Sequence, residues 1–304
     1  MRTKRISLPG LLFGKRFLLR ILICLTAAST VASSEEVQER NIYKDIKRPL
    51  IFAHRGGKAH WPENTLYAFE RALKSGADVI DLDLQETKDR EIVILHDETL
   101  ERTSNGTGRV EKLNLAELKK LDFAYRFTPD GGSGTPLRGK GITISTLAEA
   151  FDRFPQAHFN MEIKPDSVDM ARKVIEVVRK AGMTERVIIA SSHESVVDVL
   201  LREGEGIAIS ASPSEVRKLV LLSKIGWGYT HTPLSNVYEV PGRSSGITVI
   251  TESFIKSAHE LGQEVVVWMI DDPAEMKRLL EMGVDGIITG RPELLKVMTS
   301  GYGK

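Results

Sequence analysis

The sequence predicts an α/β protein built on a closed barrel of eight parallel strands, a TIM (β/α)8 barrel. Short runs of β-branched residues alternate with amphipathic segments of helical length along most of the chain, and this alternation is typical of βαβ units in a parallel sheet. After an N-terminal targeting segment about 270 residues remain, the usual length of one such barrel. The many repeats favour a closed barrel over an open, doubly wound sheet.

The first 34 residues have the composition of an export signal. They contain six basic residues and no acidic residue, and the apolar run Ile21–Leu25 is followed by small residues up to Ser34. This order is typical of a secretory signal peptide, and residues 21–32 are too few to cross a bilayer as a helix. We therefore expect an exported protein, periplasmic or extracellular, with an uncleaved membrane anchor as the alternative. Residues 35–48 are interpreted as a linker, with a leading helix as the alternative.

Charge and cysteine content exclude several classes of function. The chain has 42 basic and 41 acidic residues, but six of the basic ones belong to the export signal, so the remainder is acidic by about five charges, which argues against nucleic acid as a partner. The single cysteine, Cys24, excludes an intramolecular disulfide and a multi-cysteine metal centre. No glycine-rich dinucleotide motif and no P-loop is present, so a dinucleotide cofactor and P-loop chemistry have no support.

Nine runs are predicted as strands, one more than the barrel takes. They are Leu50–His54, Val79–Leu84, Ile92–His96, His158–Lys164, Val187–Ser191, Ile207–Ser210, Gly228–Thr232, Glu264–Ile270 and Gly286–Thr289. The second and third are separated only by residues 85–91, too few for a crossover helix, so one of that pair is expected to lie outside the ring. Helices predicted between other strands include Leu66–Ser75, Val168–Ala181, Thr251–Leu261 and Pro273–Met282.

Residues 98–145 interrupt the alternation of strands and helices. They contain the turn sequences Asn105-Gly106 and Asp130-Gly131-Gly132 and one helical piece, Leu115–Leu121. We interpret this stretch as a small insertion after the third strand, at one end of a barrel that spans residues 49–300.

Three carboxylates and a lysine are placed where predicted strands end, the position at which barrel enzymes carry catalytic groups. The second strand ends in Asp81-Leu82-Asp83 and the fourth in Glu162-Ile163-Lys164. Alternate residues face the same side of a strand, so three carboxylates converge and repel one another unless a cation lies between them. Oxygen ligands suit Ca²⁺ or Mg²⁺ better than zinc. The alternatives are that the aspartates cap strand ends and that Glu162 pairs with Lys164.

Two histidines and an arginine follow the neighbouring strands. The first predicted strand ends in His54-Arg55 and the third in His96-Asp97. Two histidines offer a general acid and a general base near neutral pH, and the planar guanidinium of Arg55 suits phosphate. A single histidine at a strand end is more often structural. The coincidence of histidines, carboxylates and arginine favours metal-assisted hydrolysis of an anionic substrate.

The order of these motifs resembles that of the glycerophosphodiester phosphodiesterase family. The matching motifs are His54-Arg55-Gly56, Pro62-Glu63-Asn64-Thr65, Asp83, Thr87-Lys88-Asp89, His96-Asp97, Arg102-Thr103, Gly106-Thr107-Gly108, Thr146-Leu147-Ala148-Glu149, Glu162-Ile163-Lys164, Trp268 and Gly283-Val284-Asp285-Gly286. The ordered series covers residues 50–295, which makes it far more specific than any one of its motifs.

The resemblance implies a phospholipase-C-like TIM barrel that hydrolyses glycerophosphodiesters to glycerol 3-phosphate and an alcohol. The implied site consists of a catalytic pair, His54 and His96, of metal ligands for Ca²⁺ or Mg²⁺, Asp81, Asp83 and Glu162, and of substrate-binding residues, Arg55, Lys164 and Trp268. Two positions carry alternatives. Asn64 is expected to cap the helix that begins at Thr65, and the alternative for Trp268 is a place in the core.

Three positions depart from the family pattern. Asp81 stands where the family usually has glutamate, Asp271 where it commonly has asparagine, and Gly290 where it usually has aspartate. These departures support one alternative, a catalytically weakened protein that binds phosphodiesters. The nearer alternative is a related phosphodiesterase that acts on intact phospholipid or a wall polymer. Because both histidines are present, we expect an active hydrolase.

Overall fold

The computed structural model describes Tyr43 and residues 46–129, 132 and 134–300. The predicted export signal, residues 1–34, lies outside the described residues, as does most of the predicted linker, 35–48. Among the described residues, no helix combines the length and the apolar character needed to span a membrane.

Strands and helices alternate as the sequence predicts. The strands are β1 (Leu50–Ala53), β2 (Val79–Glu86), β3 (Ile92–Ile94), β4 (His158–Ile163), β5 (Val187–Ala190), β6 (Ala208–Ile209), β7 (Val237–Pro241), β8 (Arg243–Ser244), β9 (Ile247–Thr248), β10 (Glu264–Trp268) and β11 (Gly286–Thr289). The helices are α1 (Leu66–Lys74), α2 (Leu115–Leu118), α3 (Leu147–Arg153), α4 (Val168–Lys180), α5 (Glu194–Glu203), α6 (Pro213–Lys224), α7 (Glu252–Glu260), α8 (Pro273–Glu281) and α9 (Pro292–Thr299).

Eight of these strands form the predicted parallel barrel. Their order around the ring is β1, β2, β4, β5, β6, β7, β10, β11, with β11 paired to β1 and a bridge between Ser210 and Val237 joining β6 to β7. The short strand β3 pairs only with β2, in antiparallel register. The expectation that one of the second and third strands lies outside the ring is therefore confirmed, and β3 is that strand.

One predicted strand is wrong. Residues Gly228–Thr230 form a short 3-10 turn, and the strand of the ring is β7, several residues further along. The aromatic side chains of Trp227 and Tyr229 are exposed, whereas Val237 and Val240 are buried. The run of β-branched and aromatic residues that predicted a strand therefore forms a surface turn. The composition of a short segment does not report whether it is buried.

The two faces of the ring are packed differently. The inward side chains of Phe52, Val79, Ile188 and Val266 form one cluster with Tyr43, whose ring packs edge-on against Phe52 at 5.7 Å between centroids. Outside the ring, apolar faces of the helices pack against the other side of the strands. Several helices begin at a hydroxyl or carboxylate cap that accepts from a first-turn amide, which fixes where each helix starts.

The segment after β3 has a small core of its own. Leu95, Leu100, Val110, Leu118 and Phe123 pack together with side chains at the edge of the barrel. Helix α2 is shorter than predicted, and part of the predicted turn at 130–132 lies outside the described residues. The segment therefore extends one side of the barrel.

Candidate active site

The chain leaves β1 in a tight turn that presents two of the predicted site residues. His54, Arg55 and Gly56 form a 3-10 turn in which Arg55 has φ 50° and Gly56 has φ 79°. A Cβ on Gly56 would lie 2.7 Å from a ring carbon of Phe69, so only glycine fits against helix α1. The left-handed conformation of Arg55 is strained for a side-chain-bearing residue, which is typical of a functional position.

His54 is held by a carboxylate from the next strand. Its Nδ1 lies 2.8 Å from Oδ2 of Asp81, and Oδ1 of Asp81 accepts from the side-chain amide of Asn160 at 2.9 Å. Strand β2 continues to Glu86, so Asp81 lies inside the strand and below its end, contrary to the expected position. Because a carboxylate faces Nδ1, that nitrogen carries the proton and Nε2 is left as the acceptor.

His96 has a similar partner. Its Nδ1 lies 2.6 Å from Oδ1 of Asp97, and Arg102 donates from Nε to the other carboxylate oxygen at 2.6 Å. Burial alone would raise the pKa of Asp97, but hydrogen bonds from Arg102 and His96 lower it to about 2. Both predicted catalytic histidines therefore have an aspartate on Nδ1, an arrangement that orients the imidazole.

Arg55 bridges two carboxylates. Its Nη1 donates to Oε1 of Glu63 at 2.9 Å, and its Nε lies 3.1 Å from Oδ2 of Asp83. The same Asp83 oxygen accepts from the side-chain amide of Asn64 at 2.9 Å. The expectation that Asn64 caps the following helix is therefore wrong: Thr65 is the cap of α1. A positive φ of 57° at Asn64 turns its side chain towards Asp83 instead.

Glu63 contacts Arg55 after the first strand and Arg102 after the third. Its charge should affect the stability of the protein in acid. Burial raises its pKa, but Arg102 and Arg55 outweigh this and lower it to about 2. A carboxyl whose folded pKa is depressed stabilises the protein above its unfolded pKa, and that contribution is lost as pH falls towards the folded value. We expect Glu63→Gln to lower the free energy of unfolding by about 2 kcal/mol near neutral pH.

The difference between Glu63→Gln and the parent protein should shrink as pH is lowered from about 4.5 to about 2. Urea unfolding at several pH values in this range measures the difference in unfolding free energy. The control is Glu70→Gln, which removes an exposed ion pair with Lys74. A constant difference at all pH values would contradict the assignment.

Asp83 and Glu162 face each other, with a lysine between them. The two residues are paired in the register of β2 and β4, and the ammonium of Lys164 lies 3.1 Å from Glu162 Oε2 and 3.9 Å from Asp83 Oδ1. The alternative in which Glu162 pairs with Lys164 is what the structure contains. The sequence-predicted residues of β2 and β4 thus come together, in contact with cationic side chains.

A carboxylate that sequence reasoning missed lies on β7. Glu239 follows Val237 on the inward face, since the intervening Tyr238 packs with the outer cluster. Burial, reinforced by the charge of Asp81, raises the pKa of Glu239 to about 8. Its Oε1 is buried and has no hydrogen-bond partner among the described residues. The residue was missed because the strand carrying it was placed too early in the sequence.

The donor chemistry of this region suits a hard cation, although its present spacing is not that of a ligand set. Within the described residues, no three groups from histidine, cysteine, aspartate and glutamate are spaced to hold a metal ion. Asp83 and Glu162 contact Arg55 and Lys164 instead. The oxygens are nevertheless the type that Ca²⁺ and Mg²⁺ prefer.

Trp268 and two of the departures from the family pattern lie at the end of β10 and β11. Trp268 is the last residue of β10 and is 44% exposed, so it is not a core residue. Asp271 accepts from the amide of Gly290 at 2.6 Å and from Thr289 Oγ1 at 2.9 Å. A Cβ at position 290 would lie 3.3 Å from both Asp271 carboxylate oxygens. The two departures are therefore coupled, since the carboxylate of Asp271 borders the space that a side chain at 290 would enter.

Known proteins resemble the chain over most of its length. The glycerophosphodiester phosphodiesterase of Caldanaerobacter subterraneus subsp. tengcongensis is 34% identical over 260 residues, covering 82% of this chain and 96% of that protein. The enzyme of the same name from Bacillus subtilis is 30% identical, covering 84% and 88%.

Solved structures agree with the fold. A glycerophosphodiester phosphodiesterase from Agrobacterium tumefaciens superposes with a TM-score of 0.65 at 26% identity, covering 82% of this chain and 99% of that one. An Oleispira antarctica phosphodiesterase in complex with the product sn-glycerol-3-phosphate has a TM-score of 0.66 at 22% identity, covering 83% and 97%.

The family comparison spans the site described above. The model of the glycerophosphoryl diester phosphodiesterase family matches residues 54–294, which begin at His54 and include both histidines and every other predicted site residue. The chain therefore belongs to the glycerophosphoryl diester phosphodiesterase family.

Proposed function

We propose that the protein hydrolyses glycerophosphodiesters to glycerol 3-phosphate and an alcohol by acid–base catalysis with His54 and His96. The observation that carries this proposal is the pair of imidazoles, each with an aspartate on Nδ1 at 2.8 and 2.6 Å, on either side of the Arg55–Glu63–Arg102 network. Relatives at 34% and 30% identity that are named for this activity support the substrate class.

The side chains divide the reaction between them. One imidazole takes a proton through Nε2 from the attacking water as its oxygen bonds to phosphorus. The other, protonated on Nε2, gives that proton to the departing alkoxide as the P–O bond breaks, so the alcohol leaves as a neutral hydroxyl. The aspartates on Nδ1 stabilise the two imidazolium forms, the one that the base becomes and the one from which the acid donates. Arg55 and Lys164 bind the phosphoryl oxygens, where their charge offsets the negative charge of the transition state. Trp268, exposed at the end of β10, lines the pocket for the substrate.

Asp81, Asp83 and Glu162 are proposed to hold a divalent cation, Ca²⁺ or Mg²⁺. Such a cation supplies neutralising charge to the phosphoryl group when it is bound. To hold it, Glu162 and Asp83 would give up their contacts with the Lys164 ammonium, which would leave Lys164 for the phosphate. In this proposal the acidic side chains bind the cation and the basic side chains bind the phosphate of the substrate.

Removal of divalent cations should abolish the activity. We expect dialysis against EDTA to reduce hydrolysis of glycerophosphocholine by at least about 100-fold. Readdition of Ca²⁺, Mg²⁺ or Zn²⁺ in separate samples then identifies the ion that restores it, with Ca²⁺ or Mg²⁺ expected. Full activity in the EDTA-treated protein, with metal content checked by elemental analysis, would remove the cation from the proposal.

The substrate class is tested by the products. The protein is incubated with glycerophosphocholine, glycerophosphoethanolamine and glycerophosphoglycerol, and glycerol 3-phosphate is measured with a coupled dehydrogenase. Micellar lysophospholipid and intact phospholipid are assayed in parallel. Preference for the micellar substrates would replace the proposal by its lipid-hydrolysing alternative, and binding without any product would replace it by the binding-protein alternative.

The protein is also proposed to be exported, with cleavage near residue 34. The support is the composition of the first 34 residues, basic, then apolar, then small, which is typical of a signal peptide. N-terminal sequencing of the protein recovered from its native host tests this, since retention of Met1 on a membrane-bound form would favour the anchor instead.

A further inference from the structure

Large apolar side chains are exposed along one stretch of the chain between β6 and β7. Of the nine large apolar residues that the described part of the chain exposes, five lie within residues 221–234. They are Leu221, Ile225, Trp227, Tyr229 and Leu234, and each is more than half exposed. We call these five residues the apolar patch. Exposed apolar residues that cluster in this way are typical of a surface that contacts a partner or a membrane.

Helix α6 and the residue after it contribute two of these side chains from the face that points away from the barrel. The buried polar and apolar residues of α6 are Glu215, Leu219 and Ser223, which are four positions apart and therefore share one face of the helix. Leu221 and Ile225 are also four positions apart, on the opposite face. Their apolar surface is therefore directed to the solvent rather than to the barrel.

The turn after α6 holds two aromatic rings in the solvent. Gly228, between Trp227 and Tyr229, is buried, and a Cβ at its position would lie 2.0 Å from Oγ of Ser257 on α7. The backbone amide of Trp227 donates to the carbonyl of Leu222 at 2.8 Å. The turn is thus packed tightly against α7, and its backbone fixes the two rings in their exposed positions.

The same stretch is basic, although the chain after the predicted export signal is acidic. Residues 216–234 contain three basic residues, Arg217, Lys218 and Lys224, and no acidic residue, and all three basic residues are exposed. Arg217 lies 3.6 Å from Glu194, whereas Lys218 and Lys224 have no ion-pair partner among the described residues. Two unpaired ammonium groups beside the apolar patch favour an anionic partner.

The chemistry of this surface matches that of an anionic lipid surface. Tryptophan and tyrosine rings are favoured at the boundary between hydrocarbon and water. Lysine stems lie along apolar surface while the ammonium stays in water. The exposed face of a helix and the tip of a turn are convex, which suits insertion among lipid head groups, whereas peptides dock in grooves or along sheet edges.

We infer that the apolar patch, together with Lys218 and Lys224, binds the protein to an anionic lipid surface. Trp227 and Tyr229 enter the head-group layer, and the two ammonium groups contact lipid phosphates. The turn lies between α6 and β7, at the end of the barrel opposite to the carboxyl ends of the strands. The bound protein therefore keeps its candidate active site open to solution. The inference concerns where the protein resides and does not depend on the proposed function.

Binding of the full chain to vesicles tests the inference. The protein is sedimented with vesicles of phosphatidylcholine alone, or of phosphatidylcholine mixed with an equal amount of phosphatidylglycerol. We expect binding to the anionic vesicles, and weaker binding at high salt, because salt screens exposed charges. The double variant Lys218→Gln/Lys224→Gln should bind at least about tenfold more weakly than the parent protein. A loss of similar size is expected for Trp227→Ser/Tyr229→Ser.

A second measurement reports the apolar patch separately from residues 1–34, which are also basic and apolar. Anionic vesicles whose acyl chains carry bromine quench a tryptophan that enters the bilayer. The difference in fluorescence between the parent protein and Trp227→Phe belongs to Trp227, and we expect bromine to quench it. An unquenched Trp227 in vesicle-bound protein overturns the inference, as does the absence of binding to anionic vesicles.

Variants on other surfaces are the matched controls. Lys120→Gln/Lys180→Gln removes two other exposed lysines, and Val297→Ser removes an exposed apolar side chain of α9. Both should bind vesicles within about twofold of the parent protein, and melting temperatures confirm that every variant is folded. Equal losses in the two double lysine variants would mean that total charge governs binding, which overturns the inference.

Two further measurements separate the inference from its alternatives. Hydrolysis of glycerophosphocholine should stay within about twofold of the parent value in the variants of the patch, since their residues lie outside the candidate active site. Weakened vesicle binding therefore supports the inference whether or not the parent protein hydrolyses diesters. Sedimentation velocity without vesicles tests for a second copy as the occupant. A dimer that Trp227→Ser/Tyr229→Ser dissociates would replace the lipid surface by a protein interface.

Discussion

The His54→Ala variant is expected to hydrolyse glycerophosphocholine with a kcat/KM about 10³-fold below that of the parent protein, the range typical of a lost general acid or base. The imidazole is positioned by Asp81 at 2.8 Å and begins the turn in which Arg55 has φ 50°. Alanine removes the proton-transferring group and leaves Arg55 in place. The loss should therefore fall on kcat, with KM changed little, in steady-state assays of glycerol 3-phosphate release.

A histidine that also contacts an aspartate, but on the protein surface, provides the control for this variant. His259 also lies 2.8 Å from an aspartate, Asp285, but belongs to helix α7 on the outside of the barrel. His259→Ala should retain kcat within about twofold of the parent value. Activity undiminished in His54→Ala, or equally diminished in both variants, would remove His54 from the catalytic pair.

Replacing Arg55 by lysine should produce the second large effect, a fall in kcat/KM of about 100-fold. The guanidinium contacts Glu63 through Nη1 and Asp83 through Nε, which leaves its remaining donors for the phosphate. A lysine keeps the charge, but its single ammonium does not hold both carboxylates and the substrate at once. Inhibition by inorganic phosphate is measured for the parent protein and for Arg55→Lys. The difference between the two inhibition constants reports the phosphate contact separately from turnover.

The control is Arg109→Lys, in the segment after β3. Arg109 also contacts two carboxylates, those of Glu98 and Glu111, but on the surface, so no change in kcat/KM beyond about twofold is expected. A fall for Arg55→Lys that is no larger than for Arg109→Lys would mean that Arg55 organises the turn rather than the substrate.

Local sequence patterns were sufficient for most of the barrel. The strand Gly286–Thr289 was predicted with the bounds that the structure has, and helices α1, α4, α7 and α8 end within a residue of their predicted ends. These segments combine hydrophobic periodicity with caps or glycine near their ends, which are local signals. The strand predicted at Gly228–Thr232 is a turn, and β7 lies further along the chain. The two segments have similar local composition and differ in burial, which the sequence does not report.

For the candidate site, the sequence identified residue types but not their partners. It marked His54, Arg55 and His96 as reactive groups beside strand ends, and these positions are confirmed as the start of the turn after β1 and the residues after β3. It assigned Asn64 to a helix cap, whereas that side chain contacts Asp83. Asparagine suits both a helix cap and a contact with the next strand. Residue type therefore does not distinguish the two roles, and the fold does.

The sequence by itself determined the family, the alternating α/β architecture and the set of histidines, carboxylates and arginine that lie on or next to barrel strands. These follow from residue identity and short-range periodicity, which are local properties of the chain. Only the tertiary structure decided that Asp81 binds His54, that Lys164 lies between Asp83 and Glu162, and that Glu239 faces the same interior. Such contacts join residues far apart in the sequence, and they depend on the register in which eight strands close into a ring.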